Sequence, residues 1–105
     1  MKPFTERAVS IIKSIPNGRV MTYGQVAAHA GSPRGSRQVV RILHSISAKH
    51  GLPWHRVLNG KGEISLGGEE GQHQMDALRQ EGILFQNGTV NLDHYHYEPL
   101  PFEEE

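Results

Sequence analysis

Apolar residues in the first half of the chain recur every three or four positions, the spacing that buries one face of an α-helix. The pattern predicts a first helix over residues 5–15, with Thr5 as its N-cap and the turn residues 16–18 ending it. Thr22 is a good N-cap for a second helix over residues 23–30. The amino-terminal half is therefore predicted to be mainly helical.

A third predicted helix runs over residues 36–49, with Ser36 as its cap and His50 and Gly51 closing it. Its apolar side consists of Val39, Val40, Ile42, Leu43 and Ile46. The Gly/Pro turn over residues 31–35 joins this helix to the second one. Two short helices joined by such a turn, the second of them basic, are typical of a helix-turn-helix.

The second half of the chain has shorter periodic segments separated by glycine. Residues 52–58 and 63–66 predict two strands around a tight turn, the arrangement of a small β wing. The glycine-rich residues 67–71 predict a mobile loop. Residues 73–81 predict a helix with Met75 and Leu78 packing inward until Gly82 ends it.

The last elements are a hairpin and a tail. Residues 83–85 and 89–92 predict a β-hairpin across Asn87 and Gly88, and an acidic, proline-containing tail from about Glu98 predicts a loose end. Together the patterns predict one domain over residues 1–105. Its predicted fold class is mostly α with a small β wing, a winged helix-turn-helix.

Composition narrows the class of protein. At 105 residues the chain is sized for one modest core. It has no apolar run near 18 residues and no charged-then-apolar leader, so we expect a cytoplasmic protein, nucleoid-associated if bacterial, with no membrane partner. There is no cysteine, and none of the seven histidines forms a zinc-finger or HExxH arrangement. We therefore expect neither a metal nor another cofactor.

The formal net charge is zero, yet the charges are separated along the chain. Residues 1–62 hold ten Lys or Arg and one acid, whereas residues 63–105 hold one base and ten acids. A basic lobe on a small domain favours a polyanion such as DNA as the partner. The alternative from composition alone is a dipolar surface, or acids that fold back and neutralise the bases.

Several ordered segments carry a resemblance to a known family. They are Ile15-Pro16-Asn17-Gly18-Arg19-Val20 with Thr22-Tyr23-Gly24-Gln25-Val26-Ala27, Gly31-Ser32-Pro33 through Arg37-Gln38-Val39, Pro53-Trp54-His55-Arg56-Val57, and Gln80-Glu81-Gly82. In this order and at these spacings they resemble the O6-alkylguanine-DNA alkyltransferases over about residues 4–85. Within that family they resemble the alkyltransferase-like proteins, which carry tryptophan in place of the acceptor cysteine.

The resemblance implies a fold like the C-terminal domain of those alkyltransferases. It also implies a non-catalytic protein that binds O6-alkylguanine in double-stranded DNA, by minor-groove contact and nucleotide flipping. Indole is neither basic nor appreciably nucleophilic, so Trp54 is expected to recognise an alkyl group without accepting it. The expected form is a monomer that directs the lesion to nucleotide excision repair proteins.

The resemblance also assigns roles to individual residues. The expected lesion pocket consists of Tyr23, Pro53, Trp54, Val57 and Ser65. Arg37 is the expected arginine finger, which takes the place of the flipped nucleotide. DNA backbone contacts are expected from Thr22, Arg34, Gly35, Ser36, Arg41 and Lys49. The relay residues His55, Arg56 and Glu81 are expected to be structural, since there is no cysteine to ionise.

Other interpretations of these residues stay open. A lone tryptophan in a small domain is most often a core residue, and Tyr23 can equally be a core or capping-turn residue. A winged helix-turn-helix transcriptional regulator without lesion specificity would explain the basic helices, but not residues 53–57. An enzyme with another base, such as His55, would need an activated pair that the sequence does not supply. Gly67 offers no arginine or tyrosine to the base, which leaves the selectivity among O6 substituents open.

Overall fold

Helices make up most of the chain. The computed structural model describes residues 3–99, except for the side chains of residues 47–50. The helices are α1 Phe4–Ser14, α2 Tyr23–His29, α3 Ser36–His50, α4 Gly68–Gln80 and α5 Leu92–Tyr95, with a 3₁₀ helix Trp54–Arg56. The strands are β1 Met21–Thr22, β2 Val57–Leu58, β3 Phe85–Gln86 and β4 Thr89–Val90. Residues 100–105 of the predicted tail lie outside the described residues.

Helix α1 buries one apolar face, as its periodicity predicts. Ala8, Ile11 and Ile12 are buried on that face. The prediction that Thr5 caps the helix is wrong: Thr5 lies inside it, and Pro3 holds the N-cap position without a side-chain hydrogen bond. Proline is tolerated at a helix start, because the amide it lacks would have no partner within the helix.

The helix-turn-helix is confirmed by α2, the turn over residues 30–35 and α3. A capping box begins α2: the Gln25 amide donates to Thr22 Oγ1 at 3.1 Å, and the Thr22 amide donates to Gln25 Oε1 at 2.9 Å. Gly31 then takes a positive φ of 97° just after the helix, a conformation that favours glycine. Local sequence therefore fixes both ends of α2.

Two apolar clusters hold the domain together. The larger one packs α1, α2 and α3 against each other and against β1 and β2. Its buried members are Ala8, Ile11, Ile12, Ile15, Met21, Val26, Ala27, Ala30, Val39, Ile42, Leu52 and Val57. The smaller one lies between α4 and the carboxy-terminal hairpin, and its buried members are Val20, Leu58, Leu78, Ile83 and Val90. The helix-turn-helix and the carboxy-terminal half thus share the β1–β2 segment as a common support.

The predicted hairpin between residues 52–58 and 63–66 is wrong. Strand β2 pairs in parallel with β1, with Met21 opposite Val57 and Thr22 opposite Leu58. Glu63 instead makes an isolated bridge with Thr89. The turn after β2 is held by the Asn59 side chain, whose Oδ1 accepts from the amides of Lys61 and Glu63. The apolar run marked a buried strand, but it did not identify the strand's partner.

The carboxy-terminal hairpin is confirmed, in shorter form. Strands β3 and β4 pair antiparallel, with Phe85 opposite Val90. Asn87 and Gly88 both have positive φ, 53° and 78°, as a two-residue hairpin turn requires. This turn chemistry is local and is readable in the sequence.

Helix α4 begins earlier than predicted, at Gly68 rather than near His73. The segment predicted as a mobile loop therefore mostly forms the first turn of a helix. Gly71 explains why glycine is used there: an added Cβ would lie 2.3 Å from the Leu66 carbonyl oxygen. Close packing of the backbone requires glycine at this position. The glycine content of the segment had led to the prediction of a mobile loop. Leu78 is buried as predicted, and Met75 is half-buried.

Candidate functional site

An open pocket of about 460 Å³ lies between the helix-turn-helix and α4. Its walls come from α2, α3, the 3₁₀ helix, α4 and the segment before α4. The lining residues are Tyr23, Val40, Leu43, His44, Trp54, Leu66, Glu69, Glu70, His73 and Gln74. The volume is within the range of roughly 300–1,000 Å³ that is usual for small-ligand pockets. The pocket is large enough to receive a planar heterocycle.

Trp54 forms an aromatic wall of this pocket. Its ring centroid lies 6.1 Å from that of His73 with an interplanar angle of 28°, and 6.2 Å from that of His55 at 85°. Trp54 is half-buried and belongs to neither apolar cluster. The alternative in which the tryptophan is an ordinary core residue is therefore wrong for the described structure.

Tyr23 lies at the first position of α2, where the capping box fixes the helix start. Its ring packs partly against the larger apolar cluster and lines the pocket as well. The Tyr23 and Ser65 hydroxyl oxygens are 3.0 Å apart, and either can donate. This bond connects the recognition helices to the segment that leads into α4.

The other residues predicted for the pocket do not line it. Val57 is 1% exposed and belongs to the larger core, so its predicted place in the pocket wall is wrong. Strand pairing with β1 turns this side chain inward. Pro53 is half-buried at the start of the 3₁₀ helix and, like Ser65, is not among the lining residues. Of the predicted set, Tyr23 and Trp54 form the wall, and Ser65 reaches it through the tyrosine hydroxyl.

The three predicted relay residues are brought together around the Glu81 carboxylate. His55 Nε2 lies 2.6 Å from Glu81 Oε2, and Arg56 donates from Nε and a terminal nitrogen at 2.9–3.1 Å. The Gly18 amide donates to Oε1 at 2.9 Å, and Arg56 also donates to the Ile15 carbonyl at 2.9 Å. The carboxylate therefore joins the end of α4, the 3₁₀ helix and the loop after α1.

These donors stabilise the ionised form of Glu81. Burial raises the pKa of this carboxyl, since its side chain is 8% exposed, but Arg56, the Gly18 amide and His55 outweigh burial. The net effect lowers the pKa of Glu81 from its usual 4.5 to about 2. Glu81 is thus a fixed anion in a support for the Trp54 segment, which agrees with a structural role.

Three arginines lie exposed on the helix-turn-helix: Arg34 in the turn, with Arg37 and Arg41 on α3. None of them takes part in an ion pair between described residues. Arg37 lies in the first turn of α3, as predicted. The side chain of Lys49 is outside the described residues. The exposed arginines form a cationic surface along one recognition element, available to phosphates.

Three small residues that were predicted to contact the DNA backbone have other roles within the fold. Thr22 is 6% exposed, and its hydroxyl serves the α2 cap. Gly35 is buried, with Phe4 close to the place where its Cβ would be, and its amide donates to Ser32 at 2.8 Å. Ser36 is half-buried at the start of α3. Packing is thus sufficient to explain Thr22 and Gly35.

Comparison with known proteins identifies the family. The family model described as "6-O-methylguanine DNA methyltransferase, DNA binding domain" matches residues 3–83. The chain belongs to this family. The fold prediction is thereby confirmed at the level of the methyltransferase DNA-binding domain, mostly helical with a small sheet.

Curated relatives within the methyltransferase family include proteins with two kinds of name. A "DNA base-flipping protein" of Escherichia coli (strain K12) is 44% identical over 95 residues, which cover 90% of this chain and 74% of that protein. "Alkyltransferase-like protein 1" of Schizosaccharomyces pombe is 34% identical over 108 residues, covering 94% of this chain and 98% of that protein. The recognised resemblance to alkyltransferase-like proteins is confirmed.

A solved structure in the same family supports the fold directly. The crystal structure of S. pombe Atl1 in complex with damaged DNA containing O6-carboxymethylguanine has a TM-score of 0.80 and 32% sequence identity. The match covers 94% of this chain and 100% of that one. Homologues of this chain therefore bind damaged DNA on a similar scaffold.

Most residues of the pocket wall were not predicted from the sequence of this methyltransferase-family chain. On α3, Val40, Leu43 and His44 line the pocket, although the two apolar residues were assigned to the core face. Their i, i+3, i+4 spacing is a signal that marks one face without saying what that face covers. On α4, Glu69 and Glu70 were missed because the helix was predicted to start after them, whereas His73 and Gln74 lay in the predicted helix but were not assigned to the pocket. Among the described residues, no group of three or more side chains could hold a metal ion, and no helix is long and apolar enough to span a membrane.

Proposed function

We propose that this protein is a non-catalytic sensor of O6-alkylguanine in double-stranded DNA. The main observation that supports this proposal is the open pocket beside the helix-turn-helix. Trp54 lies on its wall, and Tyr23 lies at the start of α2. A flipped alkylguanine would pack against the indole and gain apolar burial with aromatic contact, worth about 0.5–1.5 kcal/mol beyond area.

The exposed arginines support the DNA-binding part of this proposal. Arg37 enters from the minor groove and takes the place of the rotated nucleotide, and Arg34 and Arg41 contact phosphates. Extruding a base costs a few kcal/mol, and the cost is lower where a lesion already weakens pairing. A cation with several hydrogen-bond donors can offset the remaining cost of base extrusion by filling the gap in the base stack.

The chemistry at the pocket supports binding without alkyl transfer. The sequence contains no cysteine, and the PWHRV segment resembles the family's acceptor motif with Trp54 at the acceptor position. Indole nitrogen is a poor nucleophile, and the relay around Glu81 has no thiol to ionise. The relay instead holds the Trp54 segment in place. We also propose, from the family resemblance, that the bound lesion is passed to nucleotide excision repair.

The decisive experiment compares two duplexes that differ only by one O6-methylguanine, at fixed moderate salt. A clearly lower dissociation constant for the modified duplex, with the methyl group still on the DNA afterwards, is the expected result. Equal, weak binding to both duplexes would overturn the proposal and favour a sequence-reading regulator. Loss of the methyl group from the DNA would overturn its non-catalytic part.

A further inference from the structure

One wall of the pocket carries several hydrogen-bond acceptors. It comes from the first two turns of α4, which contribute Glu69, Glu70, His73 and Gln74. None of the lining residues named for the described chain is lysine or arginine. The polar groups of this wall are therefore two carboxylates, one amide and the imidazole of His73.

Gln74 is a buried acceptor with nothing to accept from. The residue is 2% exposed, and its Nε2 donates to the carbonyls of His55 at 3.1 Å and Val57 at 3.2 Å. Because the amide nitrogen is used twice, the orientation of the side chain is fixed. Oε1 is left buried without a hydrogen-bond partner among the described residues. Such a group is destabilising until a donor reaches it.

Glu69 and Glu70 add negative charge beside that acceptor. Both side chains are exposed in the first turn of α4. Within the described part of the chain, neither carboxylate has a cation within 4.0 Å. Tyr23, His44 and His73 are the other titratable residues that line the pocket. The α4 wall of the pocket thus carries two carboxylates that have no paired cation among the described residues.

We propose that Glu69, Glu70 and Gln74 make this pocket selective by charge, so that it accepts neutral or hydrogen-bond-donating O6 substituents and disfavours anionic ones. The proposal rests on the proposed function, since it names the lesion class for the same pocket. Two carboxylates repel an anionic substituent through partly screened Coulomb interactions. Gln74 lines the pocket, and its buried, unpaired Oε1 favours a donating group that reaches it.

The test uses a matched pair of substituents on guanine O6 in one duplex sequence. Carboxymethyl is compared with its neutral isostere carbamoylmethyl at about pH 8, where histidine side chains are ordinarily neutral. Carboxymethyl is expected to bind about fivefold to tenfold more weakly than carbamoylmethyl at low salt, and the ratio should shrink as salt rises. Carboxymethyl is a stringent choice, because the solved Atl1 complex contains that adduct.

The double variant Glu69→Gln, Glu70→Gln tests the source of the effect. Both residues are exposed, so the change keeps shape and removes only charge. It should bring the carboxymethyl-to-carbamoylmethyl ratio to within about twofold of unity. The control is Asp76→Asn with Asp93→Asn, which removes two exposed carboxylates outside the pocket and should retain the original ratio.

Failure of this inference is distinct from failure of the proposed function. Each titration includes O6-methylguanine and unmodified duplexes, so a missing preference for the methyl lesion would overturn the function itself. A retained methyl preference with equal binding of carboxymethyl and carbamoylmethyl would overturn only the charge selectivity. An equal effect of the pocket variant and the control variant would assign the selectivity to total charge, and would also overturn it.

Discussion

Glu81 is the residue on which the geometry of the pocket depends most. Its carboxylate receives donors from Arg56, His55 and Gly18, and so ties the end of α4 to the Trp54 segment. Removing one partner of a buried ion pair leaves the other charge uncompensated, which is strongly destabilising. A residue that does not line the pocket therefore helps to hold the tryptophan segment in place.

We expect Glu81→Gln to lower the free energy of unfolding at neutral pH by about 3 kcal/mol, the value that corresponds to the lowered pKa. Because the folded-state pKa is below the unfolded one, ionised Glu81 contributes stability above pH 4.5, and the contribution is lost as the pH falls toward 2. The variant should show a flatter acid limb in this window. Urea unfolding followed by circular dichroism at several pH values measures both effects.

Asp76→Asn is the matched control for Glu81→Gln, because Asp76 is an exposed carboxylate on α4, the helix that Glu81 caps. It should change the stability by less than about 0.5 kcal/mol. If the two variants have the same pH profile, the ionised Glu81 network does not provide the stability assigned to it.

Arg37 is the residue whose removal should affect lesion binding most directly. Arg37→Ala should weaken binding to O6-methylguanine DNA by about 1–3 kcal/mol, since the opened duplex loses the group that fills the gap. Lys13→Ala removes one exposed charge from α1 and should have a smaller effect. Fluorescence anisotropy with a dye-labelled duplex measures both. Unchanged affinity of the Arg37 variant would refute the finger assignment.

Helix α4 is the element that sets the shape of the pocket. It carries four lining residues, and its first turn packs so closely on the preceding segment that Gly71 has no room for a side chain. The backbone contact with Leu66, which itself lines the pocket, thus holds the first turn of α4 against the segment that precedes it.

Gly71→Ala should be destabilising by roughly 1–3 kcal/mol, because the added methyl group would overlap the Leu66 carbonyl and force α4 to shift. The control is Gly67→Ala: Gly67 is the N-cap of α4 at φ −95°, and no atom lies within 4 Å of its added Cβ. That change should cost less than about 1 kcal/mol, because alanine is disfavoured relative to glycine at an N-cap but meets no atom there. Thermal unfolding by circular dichroism separates the two. Equal melting temperatures would contradict the packing explanation.

The elements that were predicted correctly are those specified by neighbouring residues. The capping box of Thr22 and Gln25, and the hairpin turn at Asn87 and Gly88, are local and readable. The pairing of β2 with β1 joins residues 36 positions apart, and no local pattern encodes it. The predicted wing was wrong for this reason. The predicted start of α4 near His73 was wrong because glycines that allow close backbone packing have the composition of a loop.

The candidate site follows the same division. Trp54, Tyr23 and the Glu81 relay were predicted because their segments resemble a known family. The acidic wall over Glu69 and Glu70 was not predicted, since those residues were taken for part of a loop. Burial of Val57 could not be read from its segment, because it depends on the parallel strand. Site features that depend on tertiary packing could be identified only from the structure.

The charge distribution of the domain predicts a salt-dependent interaction with DNA. Of the ten basic residues in residues 1–62, Arg34, Arg37 and Arg41 lie exposed on the helix-turn-helix, while Arg56 is held by Glu81. Each phosphate that a cation neutralises adds about 0.9 to the slope of log affinity against log salt. Only the free cations should contribute.

The double variant Arg34→Ala, Arg41→Ala should therefore reduce this slope by about 0.9 for each arginine, on modified and unmodified duplexes alike. Its preference for the modified duplex should be unchanged, because phosphate contacts carry no information about the base. Lys13→Ala with Lys61→Ala removes the same charge from exposed positions elsewhere. Titration over a salt series provides the slopes. A similar slope change in both double variants would assign binding to net charge alone.

The position of Trp54 has a further consequence, because it is the only tryptophan in the chain. All indole fluorescence of the protein therefore originates at the wall of one pocket. A base stacked on that ring would alter its emission, whereas DNA that binds along the helix-turn-helix without flipping would leave it nearly unchanged. The protein thus carries its own optical reporter, which separates occupation of the pocket from attachment to the duplex without any added label.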